Sequence, residues 1–440
     1  MENFFQKFSK LKMKKDNIFD KESEPIALLV SVLTPDKNEH ENEVSLDELE
    51  RLLETAGGKM LAKIVQSRPS PDIKSYVGAG KLEEIKEICE NNGVTLVVCD
   101  DELSPSQIRN MEDAIGDVRV IDRSMLILDI FALHATSGEG KLQVELAQLR
   151  YTLPRLIGKG SELSRLGGGI GTRGPGESKL ETDRRHIQRR IVALENEIRE
   201  MENNRSIQRA RREKSGIQKV AVVGYTNAGK STLMNRLTGA GILAEDKLFA
   251  TLDPTTRKYS LPSGREILLT DTVGFIRNLP HHLIRAFKST LDEARYADAL
   301  LIVIDASDPE AEAQLEVTEK LLYDLGASSK PTVCVFNKCD VSAGISNELM
   351  YRASMSRSVA VSALDGRGID DLVAELERIA LAGKSICLFK IPNSAGGDVA
   401  YLYRNATVEN IEYEGDFALV LAVVDDSVKG KMQKYIVKTN

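Results

Sequence analysis

From Pro25 onward the chain alternates short apolar runs with stretches whose apolar residues recur every three or four positions. IALLVSVLT (26–34) is the first run. SLDELERLLETAG follows it, with Ser45 and Glu48 at the spacing of a capping box and Gly57 placed as a helix stop. KMLAKIVQS (59–67), VTLVVCD (94–100) and VRVID (118–122) read as further strands, with KLEEIKEICENNG and SPSQIRNMEDAIG as helices between them. This alternation predicts an α/β N-terminal domain over 25–135 with a mostly parallel sheet. Residues 1–24 carry neither pattern and are set apart as a tail.

The pattern changes near residue 136. Leu142, Leu146, Leu149, Leu153 and Leu156 step by four and three, as do Ile187, Ile191, Leu194, Ile198 and Met201. Two such seams predict an antiparallel helical hairpin over 136–216, its second arm running about 35 residues from Ser178 and its first kinked by Pro154. Between them, SRLGGGIGTRGPGESKLETDRR (164–185) packs six glycines and a proline into residues 167–176. Such backbone is free to bring its amides close to a polyanion, with Arg165, Arg173, Lys179, Arg184 and Arg185 alongside. A plain hinge between the arms is the alternative.

Charge sharpens that reading. The net charge is −7, yet residues 150–219 hold 17 Lys/Arg against 9 Asp/Glu. A basic segment on an acidic body is a localised polyanion-binding element or a solvated helix face. Composition is otherwise that of a globular protein, with 28% charged and 42% hydrophobic residues. Apolar runs such as ALLIVIDA (299–306) fall short of the ~20 residues a spanning helix needs. Five cysteines without a CxxC pair predict reduced thiols in a cytoplasmic protein, and the five histidines form no zinc-ligand spacing with them.

The chemistry lies within 217–382. VAVV is followed by Gly224-Tyr225-Thr226-Asn227-Ala228-Gly229-Lys230-Ser231, then Thr232 and an apolar helix, which fits GxxxxGK[ST] between strand and helix. The spacing predicts backbone amides around phosphates, Lys230 on the β/γ-phosphates and the Ser231 hydroxyl on Mg²⁺. EILLTDTVG ends in Asp271-Thr272-Val273-Gly274, where the aspartate would reach Mg²⁺ through water and the Gly274 amide the γ-phosphate. PTVCVFNKCD ends in Asn337-Lys338-Cys339-Asp340, whose last carboxylate can accept both guanine N–H groups but would face an acceptor on adenine. Ser362-Ala363-Leu364 would back the base. A switch threonine is expected within LFATLDPTTRKYSL, which contributes Phe249, Ala250, Thr251, Leu252 and Asp253; Thr251 is favoured as the Mg²⁺ ligand, with Thr255 also allowed. Phe275 follows Gly274, where Ras-like enzymes carry a glutamine that orients water. The site is therefore either a slow switch or one whose water is oriented by another group. The Asn227 amide could ligate a monovalent cation such as K⁺ beside the phosphates. Residues 383–440 read as a strand, a helix, a hairpin and a short helix, a small α+β domain without a motif.

GYTNAGKST, FATLDPTTR, LLTDTVGFIRNLP, NKCD and above all GGGIGTRGPGESKLETDRR resemble the HflX family of ribosome-associated, translation-factor-related P-loop GTPases, over residues 25–440. The resemblance implies a P-loop GTPase domain preceded by an α/β domain with a helical hairpin and followed by a small α+β domain. It implies binding to the large ribosomal subunit and its rRNA, with the Gly-rich loop reaching towards the peptidyl-transferase region. It further implies ribosome-stimulated GTP hydrolysis that splits stalled or idle ribosomes under stress, with a hydrophobic residue in place of the catalytic glutamine. By position, Gly224 to Ser231 would hold phosphates, Ser231 and Thr251 Mg²⁺, Asp271 to Gly274 the second switch, and Asn337 to Asp340 guanine. Lys230, Thr251 and Gly274 would then carry the catalytic step. The rival reading is a non-enzymatic GTP switch that recruits a protein effector. Nothing in the pattern calls for more than a monomer.

Overall fold

The computed structural model describes residues 24–156, 179–213, 217–239, 248–249, 253–280, 283, 288–341, 357–381 and 384–439. It divides into two compact units, residues 1–259 with 268–369, and residues 260–267 with 370–440.

The first sheet contains β1 (Ile26–Leu33), β2 (Lys59–Ser67), β3 (Leu96–Cys99) and β4 (Arg119–Asp122), in the order β2-β1-β3-β4 and parallel throughout. β1 is central and buried on both faces, which is why its sequence is continuously apolar. Ala27 and Leu29 belong to one core with Leu49, Leu52 and Leu53 of helix α1 (Glu39–Ala56). Leu28, Val30 and Val32 belong to another, with Ile85 and Cys89 of α2 (Ala79–Asn92) and Met111 and Ile115 of α3 (Pro105–Ile115).

Helix α1 starts earlier than its sequence pattern suggests. Asn38, not Ser45, is the N-cap: its side chain accepts from Glu41 N at 2.7 Å, and Glu41 accepts from Asn38 N at 3.2 Å. Ser45 and Glu48 therefore fall in mid-helix and are buried. Gly57 ends the helix as expected, at φ 91°. Helix α4 (Arg123–His134) was absent from the sequence reading. It is apolar on nearly every side, as a buried helix is, so no amphipathic stripe announced it.

The hairpin follows. α5 (Gly138–Thr152) is capped by Ser137, and α6 spans Lys179–Glu213, 35 residues. Leu146, Ile191 and Leu194 form the buried seam, flanked by Leu142, Leu149, Leu153, Ile187 and Ile198. Arg190 grips Glu145 with two hydrogen bonds of 2.7 and 2.8 Å across it. Pro154 does not kink the first arm; the α-helix ends at Thr152 and a 3₁₀ turn, Leu153–Leu156, takes over. The Gly-rich stretch, with Arg165 and Arg173, lies outside the described residues.

The second sheet holds β5 (Gln218–Gly224), β6 (Thr255–Ser260), β7 (Glu266–Asp271), β8 (Ala299–Asp305), β9 (Thr332–Asn337) and β10 (Arg357–Ala360), in the order β10-β9-β8-β5-β7-β6. The neighbours β5–β8, β8–β9 and β9–β10 are parallel. Helices α7 (Lys230–Thr238), α8 (Lys288–Tyr296) and α9 (Ala311–Asp324) connect them.

The second unit contains most of α10 (Ile369–Leu381), then β11 (Lys384–Pro392), α11 (Gly396–Asn405), β12 (Thr407–Glu414), β13 (Phe417–Asp425), α12 (Asp426–Lys431) and β14 (Ile436–Thr439). Its antiparallel sheet runs β12-β13-β11-β14, one strand more than the sequence suggested. Among the described residues no helix is long and apolar enough to cross a membrane.

Leu194 is fully buried in the hairpin seam. Leu194→Ala should cost about 2–5 kcal/mol, read as lost hydrogen-exchange protection in α5 and α6 while the β5–β10 sheet keeps its own. Unchanged protection in the arms would show that the seam does not hold them together.

Candidate functional site

The phosphate-binding loop leaves β5 at Gly224, whose φ of 145° and packing leave no room for a side chain: a Cβ there would lie 2.2 Å from the Val303 carbonyl. Asn227 takes the left-handed conformation that asparagine tolerates, at φ 61°, and Gly229 follows at φ 92°. Helix α7 begins at Lys230, so its N-terminal amides open onto the loop.

Lys230 is buried, and its ammonium donates to the carbonyls of Gly224 and Tyr225 at 3.1 and 2.6 Å. Burial lowers its pKa to about 8, against the opposing pull of Asp271. The Ser231 hydroxyl donates to Asp271 Oδ2 at 2.7 Å, so the two predicted oxygen groups at the metal position are adjacent. Thr272 is tied to the Val222 carbonyl at 2.8 Å, and Val273 is buried. Gly274 packs so tightly that a Cβ would lie 2.7 Å from Thr226 Cγ2 and 3.0 Å from Lys230 Nζ. Phe275 is a core residue, 1% exposed, and its backbone is bonded to the loop: its N–H donates to Gly224 O at 3.0 Å and its carbonyl accepts from Thr226 N at 2.8 Å.

Strand β9 reaches the same place. Asn337 is 2% exposed; its amide donates to Ala228 O and its carbonyl accepts from Ala363 N, both at 2.9 Å. It thereby staples the phosphate loop to the 362–364 turn. Lys338, at φ 63°, pairs with Asp305 at 2.7 Å. Cys339 is half-buried, with its N–H bonded to Val361 O at 3.2 Å. Asp340 and Leu364 are exposed, while Ser362 and Ala363 are buried. Ala228 and Thr226 are buried and Thr232 half-buried beside them.

The stretch expected to hold the switch threonine is described in part. Ala250, Thr251 and Leu252 lie outside the described residues, as do His281 and His282. Phe249 packs edge-on against Phe131 of α4, ring centroids 4.7 Å apart. Asp253 is spent on the base of the hairpin: its carboxylate accepts from Thr136 N and Oγ1 at 3.0 and 2.8 Å, from Ser137 N at 2.6 Å, and from the Ser137 hydroxyl. Thr255 opens β6, and the hydroxyls of Thr256 and Thr270 are 3.0 Å apart. All five cysteines are free thiols.

Sequence reasoning missed one cluster beside this site. The Tyr225 hydroxyl donates to Glu48 of α1, and Glu48 accepts from Arg123 Nη1 of α4 at 2.8 Å. The only local signal there, the Ser45–Glu48 spacing, suggested a helix cap instead.

Three family models match the chain: the N-terminal region of GTP-binding GTPases over residues 43–132, their middle region over 134–212, and a model described as 50S ribosome-binding GTPase over 219–338. A "GTPase HflX" of Lacrimispora saccharolytica is 51% identical over 406 residues, covering 92% of this chain and 94% of that protein. The "GTPase HflX" of Caldanaerobacter subterraneus is 48% identical over 411 residues, covering 93% and 94%. That of Escherichia coli is 42% identical over 399 residues, covering 90% and 92%. Among solved structures, a GTP-binding protein from Sulfolobus solfataricus in complex with GDP matches at 28% identity with a TM-score of 0.44, over 81% of this chain and 99% of that one.

A lysine held at about pH 8 when phosphate-free should regain its proton when phosphates arrive. GTP affinity is then flat below pH ~8 and falls as the pH rises above it. Proton uptake on binding, from calorimetry in two buffers of different ionisation enthalpy, should grow between about pH 7 and 9. Uptake that stays constant would place the Lys230 pKa elsewhere.

Proposed function

The chain belongs to the HflX family of GTPases, and from that premise we propose that it binds the large ribosomal subunit and uses GTP to separate stalled or idle ribosomes. GTP is its substrate, in keeping with the family. The observation that carries the ribosomal reading is the match of residues 219–338 to a model described as 50S ribosome-binding GTPase, directly after a basic arm of 35 residues. Arg184 and Arg185 lie on the exposed surface of that arm. They would contact rRNA phosphates, with Arg165, Arg173 and Lys179 from the adjoining stretch. The site of action is then the cytoplasm, where ribosomes are.

Mg²⁺ fits the site, because Ser231 and Asp271 place a hydroxyl and a carboxylate together, the hard oxygen donors this ion prefers. Ser231 and Thr251 would hold it, and it would neutralise charge on the phosphates. The chain's own groups do the rest. Lys230 would meet the β/γ-phosphates from its buried position, the Gly274 amide would face the γ-phosphate, and Asp340 would read guanine. Asn227 is the candidate ligand for K⁺. Phe275 stands where a glutamine would orient water, and its ring is buried in the core. We infer that another group, supplied on the ribosome, completes the hydrolytic site. The same burial favours a second reading, a binding-only switch that recruits an effector.

GTP turnover by the purified protein should rise many-fold on adding purified large subunits. No rise, in a protein shown to bind both GTP and subunits, would favour the binding-only switch. Replacing Arg184 and Arg185 together by alanine should weaken subunit binding and flatten its salt dependence by about one unit of log–log slope per lost phosphate contact. An unchanged slope would move the rRNA contact elsewhere.

A further inference from the structure

Tyr225 fills the first variable position of the phosphate-binding loop, yet its phenol reaches into the N-terminal domain. Phosphate recognition by such a loop uses backbone amides and needs no side chain at that position. The hydroxyl is nonetheless fully engaged. It donates to one carboxylate oxygen of Glu48 and accepts the backbone N–H of Arg277 at 2.8 Å. One oxygen atom thus joins the phosphate loop, helix α1 and the segment three residues beyond Gly274.

Glu48 is itself held firmly. Its second oxygen accepts from Arg123 Nη1 at 2.8 Å. Arg123 is 2% exposed and also donates to Asp100 Oδ1 at 3.0 Å, to the Ser45 carbonyl at 2.8 Å and to the Ser45 hydroxyl at 3.1 Å. Ser45 closes the ring by donating to Asp100 Oδ2 at 2.7 Å. Burial presses the guanidinium towards its neutral form, but the Asp100 and Glu48 carboxylates outweigh it and keep Arg123 charged. Arg277 is fixed at its other end too: its guanidinium pairs with Glu310 at 2.7 Å, and Glu310 meets His40 of α1 at 2.9 Å.

We propose that Tyr225 and Glu48 are positioning residues for GTP hydrolysis. Glu48, locked by Arg123, aims the Tyr225 hydroxyl, and that hydroxyl sets the path of the 274–277 backbone beside Lys230. Gly274 is closely surrounded, since a Cβ there would lie 2.7 Å from Thr226 Cγ2 and 3.0 Å from Lys230 Nζ. Between Gly274 and Arg277, Phe275 is bonded through its N–H to Gly224 O and through its carbonyl to Thr226 N, so a displacement of Arg277 N would reach the Gly274 amide, the group that would face the γ-phosphate, along a backbone tied to the phosphate loop. The inference rests on the GTPase activity of the family and is independent of the ribosomal reading.

The test uses the full-length protein without ribosomes. Tyr225→Phe removes the hydroxyl and nothing else. Glu48→Gln keeps the shape but leaves one acceptor oxygen for two donors, the Tyr225 hydroxyl and Arg123. Single-turnover GTP hydrolysis, KM for GTP and thermal unfolding are measured on the same samples. Each variant should lower kcat on the order of tenfold with KM changed by less than about twofold. The double variant should be no slower than the slower single one, because both break the same bond. Wild-type kcat in either folded variant would overturn the proposal, as would losses that multiply in the double. If Tyr225→Phe melts below the assay temperature, Glu48→Gln alone decides by the same kcat and KM criterion. A lowered melting temperature with kcat intact would reduce the contact to domain glue.

Discussion

Lys230 keeps an ammonium in a crevice that water scarcely reaches, and much of the surrounding architecture follows from holding it there. Its hydrogen bonds go to two carbonyls of the preceding loop, so that loop must curl back over the helix that carries it. The curl requires backbone shapes that a side chain would forbid. Gly224 lies against the Val303 carbonyl, and at Gly229 a Cβ would fall 2.2 Å from the Asn337 amide. Asn337 in turn holds Ala228 and Ala363 in one grasp, which brings the end of β9 to the phosphate loop. Burial outweighs the pull of the Asp271 carboxylate and lowers the lysine's pKa. The crevice is thereby matched to a polyanion.

The motifs that carry these contacts were readable from the chain because each is local. Gly224 to Ser231, Asp271 to Gly274 and Asn337 to Asp340 are short runs of fixed spacing, and each sits at the end of an apolar strand. The hairpin was readable for a similar reason, since a seam stepping by three and four needs no knowledge of distant residues. The family, too, was visible in the glycine-rich run GGGIGTRGPGESKLETDRR.

What stayed hidden depends on long separations in sequence. Ser45 and Glu48 have the spacing of a capping box, but Asn38 and Glu41 have an equivalent one a turn and more earlier. The earlier cap wins because it frees Ser45 and Glu48 to meet Arg123, 75 or more residues away. The same applies to Tyr225 and Glu48, 177 residues apart, and to Asp253, whose carboxylate is bonded to the turn that starts the hairpin. No local window contains both ends of such a contact. Helix α4, which supplies Arg123, was hidden by its own burial, since a helix apolar all round shows no stripe.

The buried cluster around Arg123 is an odd choice if stability were its purpose. Removing a guanidinium and two carboxylates from water is costly, and well-packed apolar residues of the same volume often serve a core as well or better. What apolar packing cannot do is fix a hydroxyl in direction. A carboxylate with one oxygen committed to Arg123 presents the other along a defined line, and the Tyr225 phenol, rigid beyond its two side-chain torsions, carries that direction to Arg277 N. Asp253 follows the same logic, since several donors from Thr136 and Ser137 converge on one carboxylate. The segment after Gly274 and Asp253 are thus both tied to elements earlier in the chain by directional, charge-bearing bonds. A movement of either segment must therefore break these bonds or carry α1 and the hairpin base with it.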